Sequence, residues 1–438
     1  LQGRTTRARK WRNDHAGCHR RAGVLSSPPM SSRLREILRP AVLVGALGYF
    51  VDIYDLTLFL IVRKPSLAAL GYSGQQLVDI GLWLANLQMI GMLVGGIFFG
   101  ILGDRRGRVS LLFGSIILYS LANILNGFVT ELWQYQALRF IAGFGLAGEL
   151  GGSITLVSEI LSKETRAWGT TIVATVGVSG AVVGGWVAQH MDWRTAYFVG
   201  GGLGLLLLLL RVSVAESGMF RELRQHTAPV SRGNFFALFM DGRRFLKYLR
   251  CILIGLPSWF VVGVLVAYSP EFAKQLGVRD EVVAGLAVSW VYLGLTLGDF
   301  ASGALSQALR SRKKIVATFL GLTLAGVAAY FLARGVTSTA FYAIIFALGV
   351  GIGYWALFVT IAAEQFGTNI RSTVATTVPN FVRGSLVPIS MAFAALKSPL
   401  GMIPAALVVG VACIAISLWA LAGLAETHGK DLDYLEPM

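Results

Sequence analysis

Six ionisable side chains fall inside long apolar stretches of this chain: Asp52, Asp55, Arg139, Glu149, Asp299 and Arg383. A charge in a lipid-immersed helix costs about 2.5 to 3.5 kcal/mol on insertion scales, so such residues persist where they pair, bind a solute or carry protons. Asp52 and Asp55 are three positions apart, which puts both on one face of a helix. Neighbouring carboxylates suggest proton uptake as their chemistry. Arg383 offers a planar fork able to hold a carboxylate through two hydrogen bonds. Its competing use is an internal ion pair with Asp299 or Glu149.

Composition says what must position these residues. Of 438 residues, 55% are hydrophobic and 14% charged, with a mean hydropathy of +0.65. A soluble domain carries about 25% charged residues, so an ordinary soluble fold is excluded. One helix needs roughly 20 apolar residues to cross a bilayer core, and the chain breaks into about twelve such segments. They run near 40–62, 77–102, 109–129, 132–161, 168–189 and 195–214, then near 251–272, 282–309, 315–333, 339–365, 373–396 and 402–424. The expected fold is all-α: a polytopic membrane protein with twelve transmembrane helices in two pseudo-symmetric six-helix bundles, 40–215 and 251–425. A cytoplasmic linker with an amphipathic helix, 216–250, joins them, and a tail, 426–438, follows.

An internal repeat supports two halves. Gly95, Gly100 and Leu102 recur as Gly298, Gly303 and Leu305, and Glu159 with Arg166 recurs as Glu364 with Arg371. The offset is about 205 residues, as a duplicated six-helix unit would give. The net charge of +15 is unevenly spread. With the N-terminus inside, inner loops hold most of the Lys and Arg, including Arg105, Arg106, Arg108 and Arg310, whereas outer loops hold few, among them Arg63, Lys64 and Arg194. That bias puts both termini in the cytoplasm and argues against nucleic-acid binding, because the basic residues follow loop parity. Residues 1–39 form a basic arm, and translation is expected to start at Met30; an organellar transit peptide is the alternative.

Depth arithmetic brings two charges together. Asp55 lies about seven residues inside the outer end of its span and Arg139 about seven inside the outer end of the fourth, so both sit roughly 10 Å below the surface. Protonation of Asp55 would release Arg139 and deprotonation would restore the pair, coupling proton entry to conformation; a permanent structural pair is the alternative. Glu149, Asp299 and Arg383 fall near the midplane, where a polar cavity would take substrate. Tyr54, Asn380, Tyr49, Gln88, Asn123, Trp259 and Trp355 are candidates to line it. Four acids against two arginines leave surplus negative charge, which favours protonation or a cationic or zwitterionic substrate group.

Other chemistries find no support. Gly143 to Gly148 matches G-x-G-x-x-G, but the dinucleotide fingerprint needs a preceding strand and a water-accessible helix start. The three cysteines and five histidines are scattered and form no metal spacing. No cofactor, metal or catalytic constellation is expected, and the chain reads as a carrier, not an enzyme.

The stretch Gly100-Ile101-Leu102-Gly103-Asp104-Arg105-Arg106-Gly107-Arg108 resembles the loop between helices two and three of the major facilitator superfamily. Arg139 to Gly145, Gly148-Glu149-Leu150-Gly151-Gly152, Ser158-Glu159 and Arg166 are similar to the fourth helix of its metabolite:proton symporters. Tyr54-Asp55, Trp193-Arg194, Glu216-Ser217 and the tail Glu426 to Leu432 add to that likeness. The resemblance implies an inner gate at Gly100, Asp104, Arg105, Gly107, Arg108, Glu159, Arg166, Glu364 and Arg371. It implies a bacterial inner-membrane protein, monomeric, that carries a small polar metabolite (an organic acid, a betaine or an amino-acid-like solute) with protons by alternating access. An effluxer, a uniporter or a proton-coupled sugar transporter on the same fold is the alternative. Gly218 and Val51-Asp52-Ile53 depart from the family's pattern, and in the internal repeat Gln307 stands where the first half has Asp104.

Overall fold

The structure, a computed structural model, describes residues 38–161, 165–216, 235–430 and 434–436. Most of the basic arm and residues 217–234 of the linker lie outside the described residues, as do the side chains of Asp104, Arg108, Glu159 and Arg166. Every regular element among the described residues is helical.

Helix α1, Pro40–Ala69, outruns its predicted span, so Arg63 and Lys64 belong to a helix and not to an outer loop. Pro65 sits inside it. Proline forgoes one ladder hydrogen bond but keeps a helical φ, so the last turns continue. Helices α2, Gln75–Arg106, and α3, Arg108–Asn126, are separated by Gly107 alone, whose φ of +94° favours glycine.

The fourth apolar segment folds as two helices, α4, Leu132–Leu146, and α5, Glu149–Ile160, and the fifth as α6, Arg166–Val178, and α7, Gly180–His190. Helix α8, Trp193–Glu216, follows. Beyond the linker come α9, Ala237–Met240, and α10, Gly242–Leu253, the latter capped by Asp241, whose carboxylate accepts from the Arg243 and Arg244 amides. Helix α11, Leu256–Phe260, opens into a π-helical turn, Val261–Val266, before α12, Ser269–Leu276. Then come α13, Ala284–Ala308, and α14, Arg312–Leu332. The tenth segment breaks into α15, Ser338–Gly351, and α16, Trp355–Glu364. The eleventh breaks into α17, Arg371–Gly384, and α18, Leu386–Leu400, and α19, Met402–Ala422, is last.

Nine helical stretches among the described residues are long and apolar enough to cross a membrane, and Ser110–Asn126 is a shorter apolar one. The segments around 132–160 and 371–400 fall outside that nine. Each is interrupted midway and each carries a buried arginine, Arg139 or Arg383. Large apolar side chains such as Trp133, Leu209, Leu332 and Met391 stand well exposed on the molecule's outside, as lipid contact requires.

The sequence repeat reappears as a repeated contact. A methyl group on Gly143 of α4 would collide with the Gln88 carbonyl oxygen of α2, and one on Gly349 of α15 would collide with the Val291 carbonyl oxygen of α13. In return, Gly91 and Gly95 of α2 lie against Phe140 and Phe144, while Gly294 and Gly298 of α13 lie against Phe346 and Val350. Small residues let these backbones touch, and van der Waals contact is what holds helices together in lipid.

Candidate functional site

The two acids of α1 serve different partners. Asp55 lies 3.5 Å from Arg139 of α4, both fully buried. Arg139 also donates to Gln88 of α2 at 3.3 Å and to Asn123 of α3 at 3.4 Å. Its guanidinium carbon stands 5.4 Å from the Phe59 ring centre and 5.3 Å from that of Tyr197, a cation-π setting. Three more helices thus hold the arginine facing α1, within reach of a carboxylate whose pairing is loose.

Asp52, one turn earlier, turns the other way. Its Oδ2 accepts from Arg383 Nη2 of α17 at 3.0 Å, while its Oδ1 is buried with no hydrogen-bond partner. Arg383 therefore pairs with neither Asp299 nor Glu149.

Glu149 begins α5 at the break in the fourth segment and receives both ends of the Arg211 fork, at 3.0 and 2.7 Å. Arg211 of α8 also donates to the Leu112 carbonyl of α3 at 2.7 Å. This arginine is a further buried charge that the sequence does not single out, because a residue near a helix end normally reaches toward water. It cuts the surplus of acids from two to one: Arg139, Arg383 and Arg211 face Asp55, Asp52 and Glu149. Asp299 has a different task. Its Oδ1 accepts from the Ala356 amide at 3.1 Å, satisfying a donor at the buried start of α16 where the tenth segment breaks.

A cavity lies between the two halves of the chain, lined by Tyr49, Ile53, Leu56 and Val178 from one side and by Ser258, Trp259, Val262, Tyr292, Leu295, Trp355 and Arg383 from the other. It is constricted to about 20 Å³, room for little more than a water molecule. Arg383 sits 5.8 Å from the Trp355 ring centre. Tyr49, Trp259 and Trp355 stand where the sequence expects cavity residues, and Tyr292 adds a fourth ring. Tyr292 lies seven positions before Asp299, two helical turns along one face, a signal available in the sequence. The π-helical turn that carries Val262 bulges into the same region, a distortion common at functional sites.

Tyr54 and Asn380 are buried beside the cavity without being among its lining residues. Tyr54 donates to the Ala196 carbonyl at 2.9 Å. Asn380 donates to the Ala147 carbonyl at 2.8 Å, tying α17 to the break in the fourth segment, and accepts from Arg383 at 3.4 Å. The halves meet on both sides of the cavity. Toward the Gly107 turn, a methyl on Gly100 would stand 3.1 Å from Thr373 Cα, and at the opposite end one on Gly185 would collide with Ser289 Oγ.

Of the expected gate residues, Arg105 is exposed and Gly107 makes the turn. Glu364 is bonded to Arg312 at 2.7 Å, and Arg371 is buried at the start of α17.

Broken helices around a central cavity, with buried charges at the breaks, define a membrane carrier. A family profile, Major Facilitator Superfamily, matches residues 45–389, and the chain belongs to that family. It is 25% identical to a probable 4-methylmuconolactone transporter of Cupriavidus pinatubonensis, over 74% of this chain and 76% of that protein. It is 26% identical to the sialic acid transporter NanX of Escherichia coli, over 64% and 67%. It is 26% identical to the niacin transporter NiaP of Acinetobacter baylyi, over 66% and 72%. The chain is thus a multi-pass membrane transporter of small molecules and not an enzyme.

Proposed function

We propose that this carrier is a proton-coupled symporter of a small organic acid bearing a planar, unsaturated ring or chain. The observation that carries the reading is Arg383, a guanidinium set among Tyr49, Trp259, Tyr292 and Trp355 in a largely apolar cavity. A fork for a carboxylate beside aromatic walls fits a flat, weakly hydrated anion better than a sugar, which needs many hydrogen-bond partners. Relatives that include a niacin transporter and a gentisate transporter of Corynebacterium glutamicum point the same way.

Twelve crossings follow if the nine apolar stretches are joined by α3, by α4 with α5, and by α17 with α18. The repeated glycine contacts favour two six-helix bundles, 40–215 and 251–425, with both termini in the cytoplasm of a bacterial inner membrane, working as a monomer. A cavity of about 20 Å³ cannot hold a ring, so this conformer is closed around its site and must open to load it. Proton entry at Asp55 frees Arg139 from the acid and leaves it to Gln88, Asn123 and the aromatic rings that already surround it, and the two halves then rock. Asp52 assists in proton handling, and Glu149, Asp299, Tyr54 and Asn380 shape the site. The residues at the Gly107 end, Gly100, Asp104, Arg105, Arg108, Glu159, Arg166, Glu364 and Arg371, act as the inner gate.

The test is proton movement. Protein in liposomes carrying an internal pH dye, given external nicotinate, gentisate or benzoate, acidifies the lumen as the acid enters. Uptake with no acidification would make the chain a uniporter.

A further inference from the structure

We propose that Asp52 occupies Arg383 in place of a substrate carboxylate, and that substrate binding displaces Asp52, which then takes up a proton. The idea rests on the organic-acid reading above and adds a second proton site, distinct from Asp55.

The geometry is that of a competition. Arg383 borders both the cavity and Asp52, and it spends one fork nitrogen on Asp52 Oδ2 at 3.0 Å. The other terminal nitrogen makes only a long bond, 3.4 Å, to Asn380. A substrate anion entering from the cavity side needs that fork for its two oxygens. Asp52 cannot remain charged once its arginine is taken, because an unpaired carboxylate in a buried site is strongly disfavoured. Its Oδ1, buried and already without a hydrogen-bond partner, has no contact to give up on taking a proton.

The surroundings leave Asp52 as the group that responds. Tyr49 and Asp55 face it from its own helix, Tyr119 and Glu149 from the first half, and Arg383 and Tyr292 from the second. Asp55 and Glu149 keep their own arginines, Arg139 and Arg211, when a solute binds. Asp299 keeps the Ala356 amide. Among the described residues, Asp52 is the carboxylate whose guanidinium also lines the cavity. The balance is closed: before binding the site holds one carboxylate and one guanidinium, and afterwards a neutral Asp52 carboxyl, the same guanidinium and the substrate carboxylate, with one proton drawn from solvent.

The experiment is titration calorimetry of the purified full chain with benzoate near neutral pH, in two buffers of different ionisation enthalpy. Wild-type protein takes up about one proton per benzoate bound, and its affinity falls about tenfold per pH unit as pH rises. Asp52→Asn binds benzoate with no proton uptake and a flat pH profile, while Asp55→Asn keeps the uptake. Benzoate binding to wild-type protein without proton uptake overturns the inference and leaves the organic-acid reading intact. Uptake that survives in Asp52→Asn also overturns it. If neither wild-type protein nor Asp52→Asn binds benzoate, nicotinate or gentisate, the organic-acid reading falls and takes this inference with it.

Discussion

Asp52 and Arg383 are 331 positions apart in the chain and 3.0 Å apart in space, an ion pair that joins the first helix to the second half across the cavity. In the proposed reading, the arginine that ties the first helix to the second half is also the one that holds the solute.

Arg383 is irreplaceable by lysine in this account. An ammonium is a point charge and holds one carboxylate oxygen where the fork holds two. Arg383→Lys should weaken binding of a planar acid by about 10- to 100-fold, roughly 1.4 to 2.8 kcal/mol. Equilibrium binding of nicotinate measures it. Wild-type affinity in the lysine variant would mean that the anion sits elsewhere.

Glu149 and Arg211 are predicted to matter for stability first. Glu149→Gln leaves a buried guanidinium with the Leu112 carbonyl and no counter-charge. Removing one partner of such a pair costs about 3 to 5 kcal/mol, whereas replacing both by apolar residues of similar size is often neutral. Thermal unfolding in detergent should show Glu149→Gln melting well below wild type, and Glu149→Met with Arg211→Met melting above the single variant. A single variant as stable as wild type would contradict the structural role.

Much of this architecture is legible in the sequence, and for a simple reason. Hydropathy records which residues sit at the depth of lipid, and the duplicated glycines record where backbones touch. Depth is also why Asp55 and Arg139 can be matched: height along a helix follows from residue count, although α1 runs on to Ala69, so the predicted outer end at residue 62 was too early. Azimuth does not follow. Whether Arg383 turns toward Asp52, Asp299 or Glu149 depends on how two bundles meet, and no periodicity within one helix encodes that. The breaks at 147–148 and 352–354 are hidden in the sequence because glycine in a membrane helix signals close packing as often as interruption. Asp299 reads as a substrate ligand for the same reason: its partner, the Ala356 amide, is free only because a helix restarts there.

The tail carries a pH-dependent prediction. Glu426 accepts from the Ser311 hydroxyl and from the amides of Arg312, Lys313, Thr427 and His428. It docks the tail on the start of α14. Although partial burial opposes ionisation, these hydrogen bonds win and hold its carboxyl at about 2, below the ordinary value of 4.5. A depressed value means that the contribution is complete above the ordinary carboxylate range and fades as pH falls from there through about 2. The melting difference between wild type and Glu426→Gln should therefore be constant near neutrality and shrink in strong acid. A difference that grows on acidification would reverse the sign and refute the cap.

Proton coupling through Asp55 and Arg139 is the central claim, and Asp55→Asn tests it most directly. In liposomes, that variant should exchange labelled for unlabelled solute across the membrane at near wild-type rates while accumulating it against a gradient far less than wild type, because the proton bound at Asp52 remains but the neutral amide can no longer release and recapture the arginine. Full uphill accumulation by Asp55→Asn, driven by a pH gradient, would contradict the account.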